Sequence, residues 1–173
     1  MKYTLTKSGL SIALGLTFLT ISLTQSWSAQ IVRLSPAAFP ELRTNLVREL
    51  QRRGCTIPQE TYSGRRNNVI KGEFAKPGQM DWAVLCSVKG VSTVLVFWNA
   101  SEKNPAAIAP AEDVAYSRGI GAVGRDFIMR HYRAYGGPKP PPIDHQGIDD
   151  ASETASVVWY FYEGQWLKLT GAD

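Results

Sequence analysis

Two apolar runs, Trp82 to Val88 and Val91 to Trp98, are separated only by Lys89-Gly90, and no other stretch constrains the fold as tightly. A two-residue connection containing Gly turns the chain straight back on itself, so the runs predict an antiparallel hairpin. Trp82, Val84, Cys86 and Val88 alternate onto one face of the first run, and Ala83 and Leu85 onto the other. Apolar residues on both faces predict a central strand covered on each side. A further strand, Val69 to Phe74, precedes it through Lys76-Pro77-Gly78-Gln79. A second hairpin closes the chain, Ala155 to Tyr162 and Gln165 to Leu169, turning at Glu163-Gly164.

Helical spacing shows in two places. Phe39, Leu42, Leu46 and Leu50 fall on one helix face after Ser35-Pro36, a cap and first-position pair; Arg43, Arg48 and Arg52 lie on other faces, and Gly54 supplies the stop. A second helix is expected from about Gly124 to Tyr135, with Val123, Phe127 and either Ile128 or Tyr132 inward and Gly136-Gly137 ending it. Between Asn99 and Gly121 the chain is rich in Ala, Pro and Gly and reads as a long loop with a turn of helix near Glu112. Gly136 to Pro142 reads as a stiff polyproline-like connector. No long repeat or coiled-coil heptad is visible. The expected class is α+β, a single domain with one antiparallel sheet of about five strands and one or two helices packed on it.

The N-terminal stretch has the anatomy of a signal peptide: Lys2 and Lys7, an apolar run from Leu10 to Leu23, then Ser26-Trp27-Ser28-Ala29. Cleavage after Ser28 leaves residues 29–173 as one exported domain, periplasmic or extracellular in a bacterial host; an uncleaved segment 1–28 would instead tie it to the membrane. The exported part carries 17 basic and 15 acidic residues, a net +2 against +4 for the whole chain. Arg43, Arg48, Arg52, Arg53, Arg65, Arg66 and Lys71 crowd its first third, while Asp144, Asp149, Asp150, Glu153 and Glu163 crowd its last. Solvated helix faces account for such runs. Without a nucleic-acid-binding motif, an exported chain is not expected to bind nucleic acid. The two cysteines, Cys55 and Cys86, lack C-x-x-C spacing and are expected to form a structural disulfide. Closing a loop with thirty residues between the half-cystines contributes roughly 3.5 to 4 kcal/mol in the chain-entropy account.

One local pattern carries a family likeness. Gly72-Glu73-Phe74-Ala75-Lys76-Pro77-Gly78-Gln79-Met80-Asp81-Trp82-Ala83-Val84-Leu85 resembles a blade segment of the FG-GAP or VCBS repeat family. That family builds β-propellers, and the resemblance implies a strand, a loop that binds calcium through acidic side chains at its first, third, fifth and ninth positions, and a second strand. Glu73 and Asp81 match the first and ninth; Ala75 and Pro77 stand where oxygen ligands are needed, and Lys76 adds a positive charge. Calcium, which takes six or more oxygens, is poorly served there. The likeness covers fourteen residues once, and a propeller needs several four-stranded blades. Beyond this segment the chain has the general look of small exported bacterial proteins, which transfers no activity.

Two further constellations are candidates for function. Asp144, His145, Asp149 and Asp150, following the Pro-rich connector, offer carboxylates and an imidazole to calcium or zinc, or to acid–base work by Asp144 and His145. Their spacing matches no standard metal motif, and a surface turn held by side-chain to backbone bonds explains them as well. In the last hairpin Trp159 and Phe161 point one way and Tyr160 and Tyr162 the other; the two tyrosines, with polar tips, are the expected ligand-binding pair for a protein or glycan of the envelope. Catalysis by a nucleophile has little support: no G-x-S-x-G elbow occurs, and His131 lies on a helix without a visible partner. The favoured expectation is an exported, non-catalytic binding or interaction module. The contrasting one is a small metal-dependent hydrolase acting on an envelope polymer, with the four-residue acidic cluster at the metal.

Overall fold

The computed structural model describes residues 31–59, 64–112, 118–152 and 155–172; the expected signal segment 1–28 lies outside them. Along the described chain run β1 (Arg33–Leu34), α1 (Thr44–Arg52), β2 (Ile57–Pro58), β3 (Val69–Gly72), β4 (Asp81–Val88), β5 (Val91–Phe97), β6 (Ala106–Glu112), β7 (Gly119–Val123), α2 (Arg125–Tyr135), β8 (Gly147–Ala151), β9 (Ser156–Tyr162) and β10 (Gln165–Thr170). The α+β class holds. The single sheet of about five strands does not: ten strands form two four-stranded antiparallel sheets, β3-β4-β5-β6 and β10-β9-β8-β7, and a ribbon β1-β2.

Both hairpins form as their turns demand. Lys89 and Gly90, and again Glu163 and Gly164, have φ between 48° and 82°, the paired left-handed conformation that lets a two-residue turn follow the twist of its strands. Asn99 to Gly121 is where sequence and structure part. It holds β6 and β7 rather than a long loop, and Glu112 ends a strand rather than sitting in a helical turn. Pro110 fits in β6 because that strand is an edge and the register shifts opposite Ser92 and Val94, so its missing N–H disrupts no continuous ladder. The first helix begins later than its apolar spacing suggests. Pro36–Ala38 is a 3-10 turn capped by Ser35, and Phe39 and Leu42 are buried ahead of α1 alongside Leu46 and Leu50.

Burial sorts the elements into four layers. Leu46 and Leu50 of α1 pack with Trp82, Val84, Leu95 and Phe97 on the outer face of the first sheet. The opposite face, with Ala83, Leu85, Val94, Val96 and Ile108, meets Ile120, Ile148 and Trp159 of the second sheet. The outer face of that second sheet, with Val158, Tyr160 and Leu169, is covered by Ile128 of α2. Each fully buried Leu, Ile, Val or Phe contributes about 1.5 to 3 kcal/mol, so these three apolar layers hold the stack together. The Cys55–Cys86 disulfide forms within the first of them, tying the end of α1 to β4.

The two halves share an order of elements that the sequence conceals, the first adding a strand, β6, that the second lacks. In the second, strand β7, helix α2 and strands β8, β9 and β10 follow one another, and the sheet order is that of the strands in sequence. In the first, β1 is followed by α1, by β2 and β3, and by β4 and β5. Since β2 pairs β1 and Thr56 bridges Ser87 at the far end of β4, β2 and β3 together take the place of β8. Asn68 joins the halves. Its fully buried carboxamide donates to the carbonyls of Pro58 and Arg118, at 2.7 and 2.9 Å, and accepts the Ile120 N–H at 2.9 Å.

Candidate functional site

Side-chain size along the inter-sheet layer determines where space is left. In the middle, Leu85, Val94 and Ile108 face Ile148 and fill it. Trp98, Phe161 and Trp166 fill one end, with ring centroids 5.0 to 5.7 Å apart. At the other end the cross-strand pair on the first sheet is Ser92 and Ala111, and small residues there cannot span the gap. A cavity of about 570 Å³ results, with β5 and β6 on one side and β8, β9 and β10 on the other.

Arg118, just before β7, reaches into this space. Its Nε and Nη2 donate to the two carboxylate oxygens of Asp150, each at 2.7 Å. Two further N–H groups donate to the backbone carbonyls of Ser92 (3.1 Å) and Ala109 (2.7 Å), so one side chain ties β5, β6 and β8 together. The Trp159 indole donates to Asp150 Oδ2 at 3.2 Å. A bidentate pair of this kind, largely shielded from water, is a rigid unit without net charge. Apolar groups of Pro58, Pro110, Ala111, Val157 and Trp159 supply the walls, and Lys168 stands on the same face of β10, directly across from Trp159.

The acidic cluster read from the sequence is not one site. Its last residues form β8 rather than a surface turn, and alternation along that strand sends Asp149 and Asp150 to opposite faces of the sheet. Asp150 points between the sheets toward Arg118. Asp149 faces the α2 side, where burial above all raises its carboxyl; a bond from Ser156 opposes the rise, and the charge of Asp150 adds to it. Asp144 and His145 lie on the connector ahead of β8. His145 Nδ1 meets Asp144 Oδ1 at 2.6 Å, and Nε2 meets the Phe161 carbonyl at 2.9 Å. The bond from His145 is the main cause that holds the exposed Asp144 carboxyl below its usual range. The four residues therefore do not converge on one ion, and among the described residues no three His, Cys, Asp or Glu side chains are grouped to hold a metal.

Tyr160 is likewise corrected. It is fully buried, not a surface aromatic. Its ring stacks on His145 at 4.4 Å between centroids, and its hydroxyl lies 3.1 Å from Asp144 Oδ1 and 3.0 Å from His145 Nδ1. Burial raises the hydroxyl pKa. Tyr160 thus pins the Pro-rich connector to the outer face of β9, while Tyr162 is half-buried beside it. Residues 72–85 form the end of β3, its connection and the start of β4. Buried Asp81 holds that connection, accepting from the N–H groups of Phe74 (3.2 Å), Ala75 (2.9 Å) and Asn99 (2.7 Å) and from the Gln79 amide (2.8 Å). Its two oxygens are engaged by donors, as in a turn cap.

Sequence reasoning passed over Arg118 and Lys168. The available signal for Arg118 was modest: it is the single charged residue between Asp113 and Arg125. With this geometry in place, comparison with known proteins finds no match among family models, curated proteins or solved structures.

Proposed function

We propose that the chain is an exported, non-catalytic binding module, periplasmic or extracellular in a bacterial host, and that its ligand occupies the cavity between the two sheets. The cavity carries this reading. Its volume of about 570 Å³ lies within the range of small-molecule sites, which combine mostly apolar walls with a few fixed polar groups. None of the described lining residues is a histidine or cysteine, and the Arg118–Asp150 pair is bound internally rather than held ready for proton transfer. The Cys55–Cys86 disulfide fits an oxidising compartment. Among the described residues, no helix is long and apolar enough to cross a membrane.

The test is a titration with the uncharged fluorophore N-phenyl-1-naphthylamine. Saturable binding at one site that raises the melting temperature, and that is lost when Ala111→Trp fills the cavity without changing the fold, supports the reading. Ala111 is exposed on an edge strand, so the larger side chain can be added without repacking a core. Absence of saturable binding, or equal binding by the variant, overturns it.

A further inference from the structure

We infer that the cavity takes an anionic amphiphile, an apolar body ending in a single negative group that pairs with Lys168. The inference rests on the binding reading above and goes on from the charges at the cavity. Among the described residues, three charged side chains line it: Arg118, Asp150 and Lys168. Arg118 and Asp150 cancel one another through two parallel bonds, and two further N–H groups of Arg118 go to backbone carbonyls. Gln59, also at the wall, spends its amide on the backbone of Ile57, Pro58 and Asn67.

Lys168 is left over. It is exposed, it points to the inter-sheet side in register with Trp159, and none of the described carboxylates pairs with it. Among the described residues the site is therefore an apolar chamber with one unpaired positive charge, Lys168, at its rim. A neutral ligand would leave that ammonium solvated by water alone, a cation would be repelled, and an anion joined to an apolar body satisfies both features. Lys168 also fits a rival role. An inward-pointing charge on an edge strand discourages pairing with another chain, and β10 is an edge. The experiment separates the two.

Octanoate, 1-octanol and octylammonium share one apolar body and differ in charge, so each is titrated against protein loaded with N-phenyl-1-naphthylamine. Octanoate is expected to displace the probe at about fivefold lower concentration than octanol at low salt, the size of one partly exposed ion pair, and octylammonium is expected to be the weakest. In 1 M salt the preference should shrink toward parity, because screening acts over about 3 Å there. Lys168→Gln should remove the preference and Lys168→Glu should reverse it. Equal displacement by octanoate and octanol overturns the anionic ligand while leaving the cavity as a binding site. A fivefold preference that survives Lys168→Gln, with self-association of the variant on sedimentation, assigns Lys168 to edge protection and overturns its pairing role. Failure of the probe itself to bind saturably removes both readings.

Discussion

The guanidinium of Arg118 and the carboxylate of Asp150 meet through two bonds of 2.7 Å, with side chains only 17% and 9% exposed. This contact joins the approach to β7 to β8 at the cavity, and the backbone bonds of Arg118 extend it to β5 and β6. The shape of the site depends on it.

Removing one member of this pair should cost more than removing both. Arg118→Met leaves Asp150 shielded without its partner, and Asp150→Asn leaves the guanidinium in the same position; each should lower stability by about 3 kcal/mol. The double variant should lose clearly less than the sum, because neither charge is then stranded. Urea unfolding of the three variants at pH 7 measures the coupling.

Asn68 should be the most sensitive polar residue of the fold. Its φ is 68° and its side chain satisfies one N–H and two carbonyls across the halves. Asn68→Ala loses those bonds and keeps the left-handed backbone strain, for about 3 to 4 kcal/mol in all. Asn68→Gly loses the bonds without the strain, and should be about 1 kcal/mol more stable than the alanine variant. Paired thermal melts decide the order.

Loss of the disulfide should cost roughly 3.5 to 4 kcal/mol through the loop it closes. The sequence separation is 31 residues, and both half-cystines are buried in the layer under α1. The Cys55→Ser/Cys86→Ser variant, unfolded in urea beside the oxidised protein, measures the difference. A loss below about 1 kcal/mol would mean that α1 and β4 stay together in the unfolded chain.

Glu49 supplies a pH signature. Arg52 and Arg53 donate to it at 2.7 to 2.8 Å and lower its carboxyl from 4.5 to about 2. A carboxyl depressed in the folded state stabilises above its unfolded value, and that stabilisation is lost as pH falls from about 4.5 through about 2. The arginines are solvated, Arg52 being 70% exposed, which limits the effect to about 0.5 kcal/mol. Glu49→Gln should show this deficit at pH 7 and match the parent below pH 2 in denaturant titrations.

What the sequence disclosed follows from which signals are local. The turns at Lys89-Gly90 and Glu163-Gly164 need two left-handed residues, so both hairpins were legible within a residue or so of their ends. The same is true of α2, whose Gly136 leaves the helix with φ 74°. β6 and β7 were hidden because Ala106 to Ala111 carries small residues and a proline, with no alternation to read. Their place is set by partners: Ala107 lies opposite Leu95, and Gly119 lies opposite Ala151, far along the chain. The acidic cluster was misread for a related reason. Once Gly147 to Ala151 is known to be a strand, Asp149 and Asp150 must diverge, but adjacent aspartates two residues after a glycine look like a turn. The cavity could not be read at all, since it arises from small residues on one sheet, Ser92 and Ala111, facing a gap whose other wall, Asp150 to Lys168, lies far along the chain.

The most direct test of the cavity as the binding site is a two-dimensional amide and indole spectrum recorded as octanoate is added. The account places the largest shifts at the Trp159 indole N–H, now bonded to Asp150, and at the backbone amides of Ser92, Ala111, Val157 and Lys168. The indoles of Trp98 and Trp166, at the opposite end of the inter-sheet layer, should stay in place. Shifts centred on Trp98, Phe161 and Trp166, or spread along the outer face of α2, would contradict it.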